Sequence, residues 1–457
     1  REGISIGGNY NYNYSDNNYT MEAFVFEDNE RRDIERFHDA YRLNFASAYL
    51  DIRGKRWADR FRVTLSGNEF IKEVQNGGII GNLAFGSVKY DGEGASTAIL
   101  YEKQLGEKFN LTTNAALSAT NVLFIDTTAN TFSWSGAVLR RDINRRGELG
   151  GSSISDRDFY NVANRVTLTW SLSPRDEIKL SNLVARQSTI GRDTEEPIEE
   201  DPLTIEQVLF QDVLGLQYER KIGTKLTVSG AGKLYVYDIE GADANTLAPV
   251  GTEGTAYGYY GTAKYDVTDR FFLRASYENA LRIPTFAQFF GNGANIAANL
   301  TLEPETSDNF NLGFSYASAR KRDIRFLLTA NGFIRAQKNL IFLSAATFPR
   351  NINADDVDSR GVEGSLNVWF RDAFQLNLNA TRLRQVYGEI RSLSQTQSLE
   401  GTDFPNVPKW FYNARLTYNS ERIIGDVGNF LVSKLGRLFG KDWHVSQSGP
   451  AVSLYGQ

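Results

Sequence analysis

Residues 281–316 read Leu281-Arg-Ile-Pro-Thr-Phe-Ala-Gln-Phe-Phe-Gly-Asn-Gly293, a bridge of small residues, then Asn299-Leu-Thr-Leu-Glu-Pro-Glu-Thr-Ser-Asp-Asn-Phe-Asn-Leu-Gly-Phe-Ser-Tyr316. Before Pro284, Phe271, Leu273, Ala275 and Tyr277 alternate with Phe272, Arg274, Ser276 and Glu278. After Pro304, Phe310, Leu312, Phe314 and Tyr316 alternate with Asn309, Asn311, Gly313 and Ser315. Side chains alternate faces along a strand, so each flank reads as a strand with one apolar face, and the middle as a long loop. Neither Pro284 nor Pro304 can donate to a ladder, so the two prolines mark where pairing stops and restarts.

The alternation recurs outward from this stretch at nearly even spacing. Short polar turns fall at Gly54-Lys55-Arg56, Gly106-Glu107, Pro174-Arg175, Gly223-Thr224, Thr268-Asp269, Lys321-Arg322, Arg371-Asp372 and Ser420-Glu421. With Lys55, Gly106, Pro174, Gly223, Asp269, Arg322 and Asp372 as centres, the gaps are 51, 68, 49, 46, 53 and 50 residues, each with room for two strands and one longer loop. Strands are expected near 3–14, 41–53, 58–72, 84–103, 108–124, 160–172, 177–189, 206–220, 225–238, 255–266, 271–281, 305–319, 323–336, 357–370, 373–386, 408–419 and 443–455. Two-sided strands with tight turns at one end and long loops at the other are the pattern of an outer-membrane barrel, whereas a soluble sandwich has shorter strands and shorter spacing. Single-chain bacterial barrels hold an even number of strands, so an odd count of seventeen reads as an incomplete barrel. The two-residue period fails near Ala48, which points to a bulge there. One segment departs from the β pattern altogether: Ile423, Ile424, Val427, Phe430, Leu431, Leu435, Leu438 and Phe439 follow helical spacing and predict a short amphipathic helix on the tight-turn rim.

The central stretch carries Arg282, Pro284, Thr285, Phe290, Asn299, Leu300, Pro304, Glu305, Ser307, Asn309 and Gly313, and in these residues it resembles the TonB-dependent outer-membrane receptor family. Two extra residues separate Asn299-Leu300 from Pro304-Glu305, and Asn311 stands where the family often has Glu. The resemblance implies an all-β fold, a large antiparallel transmembrane β-barrel of about 22 strands when complete, filled by an N-terminal plug. Residues 1–457 would then be one partial barrel domain, with the plug expected upstream of Arg1 and the last strands beyond Gln457. The resemblance also implies a place in the Gram-negative outer membrane, among its lipids and lipopolysaccharide. It implies a small-molecule ligand, and a TonB complex acting through the plug. A ferric siderophore is the expected ligand, because the Pro-Thr…Pro-Glu signature looks more like siderophore-receptor barrels than like large glycan importers. A glycan importer, a passive pore, and an adhesin or structural barrel are the alternatives.

Composition bounds these readings. The chain has 457 residues, 22 Tyr and 29 Phe, and these residue types suit strands. No run approaches the roughly 18 apolar residues of a membrane-spanning helix. The mean hydropathy of -0.38 says little about spanning strands, whose polar half hides the apolar half in any average. A net charge of -5 argues against a general nucleic-acid binder. With no Cys, a thiol nucleophile and a Cys-based zinc site are impossible, and His38 and His444 are too far apart in sequence to suggest a metal pair. No catalytic constellation and no cofactor motif stands out, so the chain reads as a non-enzyme.

The long loops are where a ligand would first be met. Arg140, Arg141, Arg145 and Arg146, with Arg157 nearby, offer guanidinium groups suited to carboxylate, catecholate or phosphate oxygens; lipopolysaccharide anchoring or no binding are the plainer readings. Phe286, Phe289 and Phe290 could form an aromatic platform for a flat ligand, or simply pack the base of their loop. Asp193 to Asp201 gathers six carboxylates in nine residues, either a divalent-cation site or a solvated loop. Tyr10, Tyr12 and Tyr14 share one strand face and read as part of an interfacial aromatic girdle.

Overall fold

The computed structural model describes residues 3–76, 81–242, 247–291, 296–319, 323–344, 349–354, 356–371, 374–388, 400–404, 407–418, 444–448 and 451–456, with side chains through residue 417. In chain order the strands are β1 (Gly3–Ser15), β2 (Thr20–Val25), β3 (Glu30–Glu35), β4 (Tyr41–Lys55), β5 (Ala58–Glu73), β6 (Lys89–Leu105), β7 (Phe109–Asp126), β8 (Asn130–Phe132), β9 (Val138–Arg141), β10 (Ser153–Ser173), β11 (Asp176–Asp193) and β12 (Gln207–Ile222). Then follow β13 (Leu226–Ala242), β14 (Pro249–Thr268), β15 (Phe271–Arg282), β16 (Glu305–Ala317), β17 (Ile324–Lys338), β18 (Ile341–Leu343), β19 (Asn351–Asn353), β20 (Val357–Phe370), β21 (Phe374–Tyr387), β22 (Trp410–Tyr418), β23 (His444–Ser448) and β24 (Ala451–Gly456). Eighteen of them form one antiparallel sheet in which each long strand pairs with the next long strand along the chain. The six short strands form hairpins β2–β3, β8–β9 and β18–β19, all within the loops of one end.

The sequence pattern explains the sheet. One register row on one face runs Leu180, Leu216, Gly232 and Tyr259 before it reaches Asn279 and Asp308 towards the long-loop rim, while the adjacent row on the other face runs Lys179, Gln217, Ala231, Tyr260, Glu278 and Asn309. Leu216 and Tyr259 are more than half exposed. A band of such residues across the sheet suits hydrocarbon rather than water, and the polar face belongs to a barrel lumen. Polar side chains there satisfy one another, as in Lys233 Nζ to Glu278 Oε1 at 2.8 Å and Tyr260 Oη to Gln217 Oε1 at 2.8 Å. At the tight-turn end Gly54, Gly106 and Gly223 all take positive φ, which explains why glycine sits at three of the expected turns.

The structure departs from expectation at several places. The strand expected at 443–455 is two, β23 and β24, paired to each other, with β24 also paired to β22. Register runs unbroken through Ala48, so there is no bulge. The period fails there because Tyr49 faces the polar side, under the Arg62 guanidinium at 4.0 Å, and Gly7 opposite makes room: a Cβ on Gly7 would lie 2.6 Å from that ring. β6 begins at Lys89 rather than near 84, β10 begins at Ser153 rather than 160, and β14 begins at Pro249 rather than 255. The three loop hairpins had no separate strand expectation, being too short to show a period. The helix expected over 423–439 lies outside the described residues.

Candidate functional site

At the long-loop end the motif around Pro284 folds back onto the polar face of the sheet. Residues 286–290, expected as loop, form one helical turn, α1 (Phe286–Phe290), started by a capping box between Thr285 and Gln288. Gln288 Oε1 accepts from Thr285 N at 2.9 Å and from Arg282 Nη1 at 3.0 Å. Arg282 in turn grips Glu305 with two donors, Nε to Oε2 at 2.6 Å and Nη2 to Oε1, so the loop's two strand ends are locked together. Glu305 is buried, and its carboxylate also accepts Ile341 N at 2.5 Å.

That last bond reaches into the neighbouring loop. Asn299 donates from its backbone to Phe289 O and from Nδ2 to Asn351 O, both at 2.7 Å. Asn353 Nδ2 donates to Glu303 O at 3.0 Å and to Asn339 O at 2.8 Å, while Glu303 N donates to Asn353 Oδ1 at 2.9 Å. The family-like residues Arg282, Thr285, Asn299 and Glu305 therefore form a clasp between the β15–β16 loop and the β18–β19 hairpin. Pro284 is fully buried, and Leu300 packs against the apolar cluster the clasp encloses. Pro304 sits half-buried just before Glu305.

The aromatic trio lies inside that cluster. Phe286, Phe289 and Phe290 are 8%, 1% and 4% exposed and pack with Leu209, Tyr235, Ile239 and Leu302. Phe286 and Phe290 meet at 4.7 Å between ring centres. Their faces are covered, so as they stand they brace the inner wall and offer no open platform. Each buried ring contributes roughly 1.5–3 kcal/mol to holding α1 in place.

The charged loops come together at the same end. Arg140 and Arg141 close the β8–β9 hairpin and are exposed; Arg140 pairs with Asp142. Arg145 is exposed beside them. Arg146 donates to Thr127 O at 3.0 Å and pairs with Glu195 Oε2 at 3.3 Å, joining the arginine loop to the acidic run. Asp193 and Asp201 are buried and spoken for: Asp193 accepts from Ser153 Oγ at 2.6 Å and Ile154 N at 2.9 Å, and Asp201 pairs with Arg192 at 2.7 Å. Those two carboxylates close a loop rather than hold a cation.

One feature escaped the sequence. Asp126 Oδ1 accepts from Glu148 N at 2.7 Å, while the Glu148 carboxylate accepts from Gly86 N at 2.8 Å and Ser87 N at 2.9 Å, which ties three loops together. Burial pushes the Glu148 carboxyl up to about 7, helped by the nearby Asp126 and opposed by the two amide donors. His38 is likewise a brace: Nε2 lies 2.8 Å from Val88 O and Nδ1 3.6 Å from Glu73. The His444 side chain lies outside the described residues.

Residues 3–453 match the profile of the family described as "TonB dependent receptor-like, beta-barrel". Solved structures of similar fold include the copper transporter OprC, at a TM-score of 0.64 and 11% identity over 91% of this chain and 60% of that one. The siderophore receptor PiuA from Acinetobacter baumannii gives 0.63 and 13%, over 91% and 66%. The FrpB iron transporter from Neisseria meningitidis gives 0.60 and 12%, over 91% and 62%. The chain spans less than two thirds of the length of the first of these. At such identities the likeness is one of fold. No curated protein sequence matches the chain.

Proposed function

The chain belongs to the TonB-dependent receptor-like β-barrel family of the Gram-negative outer membrane, and from that membership we propose that it forms the wall and mouth of an importer for a scarce nutrient, a ferric siderophore first among candidates. The observation that carries this reading is the clasped long-loop end: buried α1 and the Arg282–Glu305 lock hold the inner wall, so exposed loops above it keep a fixed geometry. Arg140, Arg141 and Arg145 are the side chains proposed to meet an anionic iron chelate: all three are exposed at the mouth, Arg140 pairs only with its near neighbour Asp142, and Arg146 is tied across to the acidic run through Glu195. Phe286, Phe289 and Phe290 act by bracing. Energy would come from the TonB complex through a plug outside residues 1–457. The solved proteins of similar fold are a copper transporter, a siderophore receptor and an iron transporter, which fits a metal chelate without choosing one.

The test is uptake of radiolabelled iron by cells carrying the complete gene, the deletion, or the deletion complemented with R140Q/R141Q/R145Q, supplied with hydroxamate or catecholate chelates under iron limitation. The expected result is TonB-dependent uptake lost on deletion and cut about tenfold in the triple variant, the loss of a few charge-assisted bonds. Equal uptake of every iron chelate by the wild type and the deletion would reject the siderophore reading.

A further inference from the structure

Along the long-loop border of the outer face, charge is spread unevenly round the sheet. On β5 to β10 the row Glu69, Glu93, Asn121, Asp158 carries three carboxylates, and the row above it, Ile71, Asp91, Leu123, Asp156, carries two more. The cations beside them are engaged: Arg42 with Glu69 at 3.2 Å, Lys89 with Asp91 at 3.8 Å, and Arg192, across from Asp156, with Asp201 at 2.7 Å. Glu93, Asp156 and Asp158 are exposed and have no ion-pair partner among the described residues. Asn121 Nδ2 donates to Asp156 Oδ1 at 2.6 Å and to Asp158 Oδ1 at 3.1 Å, which holds two like charges side by side.

β20 and β21 carry the opposite sign. Their rows read Phe310, Ile334, Arg360, Arg384 and, below it, Leu312, Gly332, Val362, Arg382. Asp358, one row higher on the same face, offsets one of the three arginines. Asp403 lies 4.0 Å from Arg384 Nε but is itself held by Lys409 at 2.6 Å, so this arc keeps a positive excess. Arg360 and Arg384 are direct cross-strand partners, an arrangement that is destabilising for like charges unless an anion joins them. The two arcs sit at one depth. Asp158 stands one row above Tyr160, and Arg384 one row above Trp410, which stacks on Tyr412; such aromatic residues mark headgroup level.

Shape is complementary as well. Below the carboxylates, Leu117, Tyr160 and Val162 are exposed and stand out from the wall. Below the arginines the wall is hollow, with a groove of about 540 Å³ bordered by Leu312, Ile334 and Val362. Its floor is Gly332, where a Cβ would meet nothing closer than 3.9 Å. Nine strand-to-strand steps separate β7 from β20, approaching half of a barrel of about 22 strands, so the arcs face away from each other and cannot meet within one molecule. A second copy in the same membrane presents the matching surface at the matching depth. We propose that copies of this chain pack side by side, the β5–β10 arc of one seated on the β20–β21 arc of the next. The contact joins unlike surfaces and does not close, so it builds rows rather than pairs.

The inference depends on the outer-membrane location and not on the importer reading, so no uptake result bears on it. Residues 1–457 contain no Cys, so engineered cysteines are unique there. Ala119 and Val362 lie in the rows just below Asp158 and Arg360, both are exposed, and replacing them touches no charge. The complete chain, with any cysteine elsewhere in its gene changed to Ser, is produced in outer membranes and treated with a short bismaleimide. A119C/V362C is expected to give a ladder of dimers and longer multiples, while A119C alone and V362C alone stay monomeric. In the double-cysteine chain, D156R/D158R or R360E/R384E lowers the cross-linked fraction about tenfold, and both reversals together in one chain restore it. Heat-modified electrophoretic mobility verifies that each variant is folded. Absence of multiples from A119C/V362C, or equal cross-linking of a single-cysteine chain through random or two-fold contacts, would overturn the proposal. So would failure of the combined reversal to restore the ladder, since the arginines would then be answered by a membrane lipid and not by a second copy.

Discussion

Glu148 is a buried carboxylate whose proton matters to three loops at once. With a folded-state value of about 7 against an ordinary 4.5, it holds a proton in the folded loop that the unfolded chain has lost, throughout that interval. The sign follows: the folded state binds more protons, so stability of the loop falls as pH rises from about 5 to about 7, and levels off above. Burial is the main cause and the neighbouring Asp126 adds to it, so removing the charge removes the slope. Limited proteolysis of the complete chain beside Gly86 and Ser87 is expected to quicken across that interval in the wild type and to stay level in E148Q. Equal slopes in both proteins would mean that another group titrates. Nothing in the order of residues pointed to this site, since Gly86, Asp126 and Glu148 are separated by dozens of positions and meet only through the fold.

At the scale of elements, the clasp is where the loops gain their order. Arg282 closes the end of β15 and Glu305 opens β16, so one bidentate ion pair fixes the span of the loop between them. Removing the arginine leaves a buried carboxylate with Ile341 N as its remaining donor, and stranding such a charge costs several kcal/mol when both partners are buried. Arg282 is itself partly exposed, which lowers the expected cost of R282A to about 2 kcal/mol. The loss would show as earlier urea-induced exposure of α1, followed by the fluorescence of a tryptophan placed at Phe286, with the strand signal unchanged. Simultaneous loss of loop and strand signals would instead make the clasp part of the barrel's global stability. Part of this element was legible: the two prolines bounded the loop, and four of the residues that look like the family's signature, Arg282, Thr285, Asn299 and Glu305, make the clasp. The partner was not legible. Asn351 and Asn353 lie on a three-residue strand, too short to carry a period, and the Phe trio's burial depends on Leu209, Tyr235 and Ile239 from strands far away in sequence. Alternation tells which face a side chain takes, and only the fold tells what covers it.

For the whole molecule, the decisive assignment is which face meets lipid. Alternation in the sequence divided every long strand into two sets, and the register lines those sets into rows across the sheet, apolar through the middle of one face and hydrogen-bonded polar on the other. Assigning the apolar rows to hydrocarbon gives a graded expectation, because a charge at the bilayer midplane costs far more than one at its edge. L378R, in the wholly apolar row beside Leu366, is expected to lower the stability of the complete barrel in lipid vesicles by about 2–4 kcal/mol; Y257R, near the long-loop rim, by about 0–1 kcal/mol. T381R provides the opposite case, since Thr381 lies across from Glu363 on the polar face and a guanidinium there finds water and a carboxylate. Urea unfolding of the three variants in one lipid reads all three costs together. A large loss for T381R with none for L378R would turn the sheet inside out, moving the clasp and its buried α1 to the wrong side of the wall. The expected order, L378R worst and T381R least, follows from the same rows that place α1 against the lumen and Arg360 against the membrane.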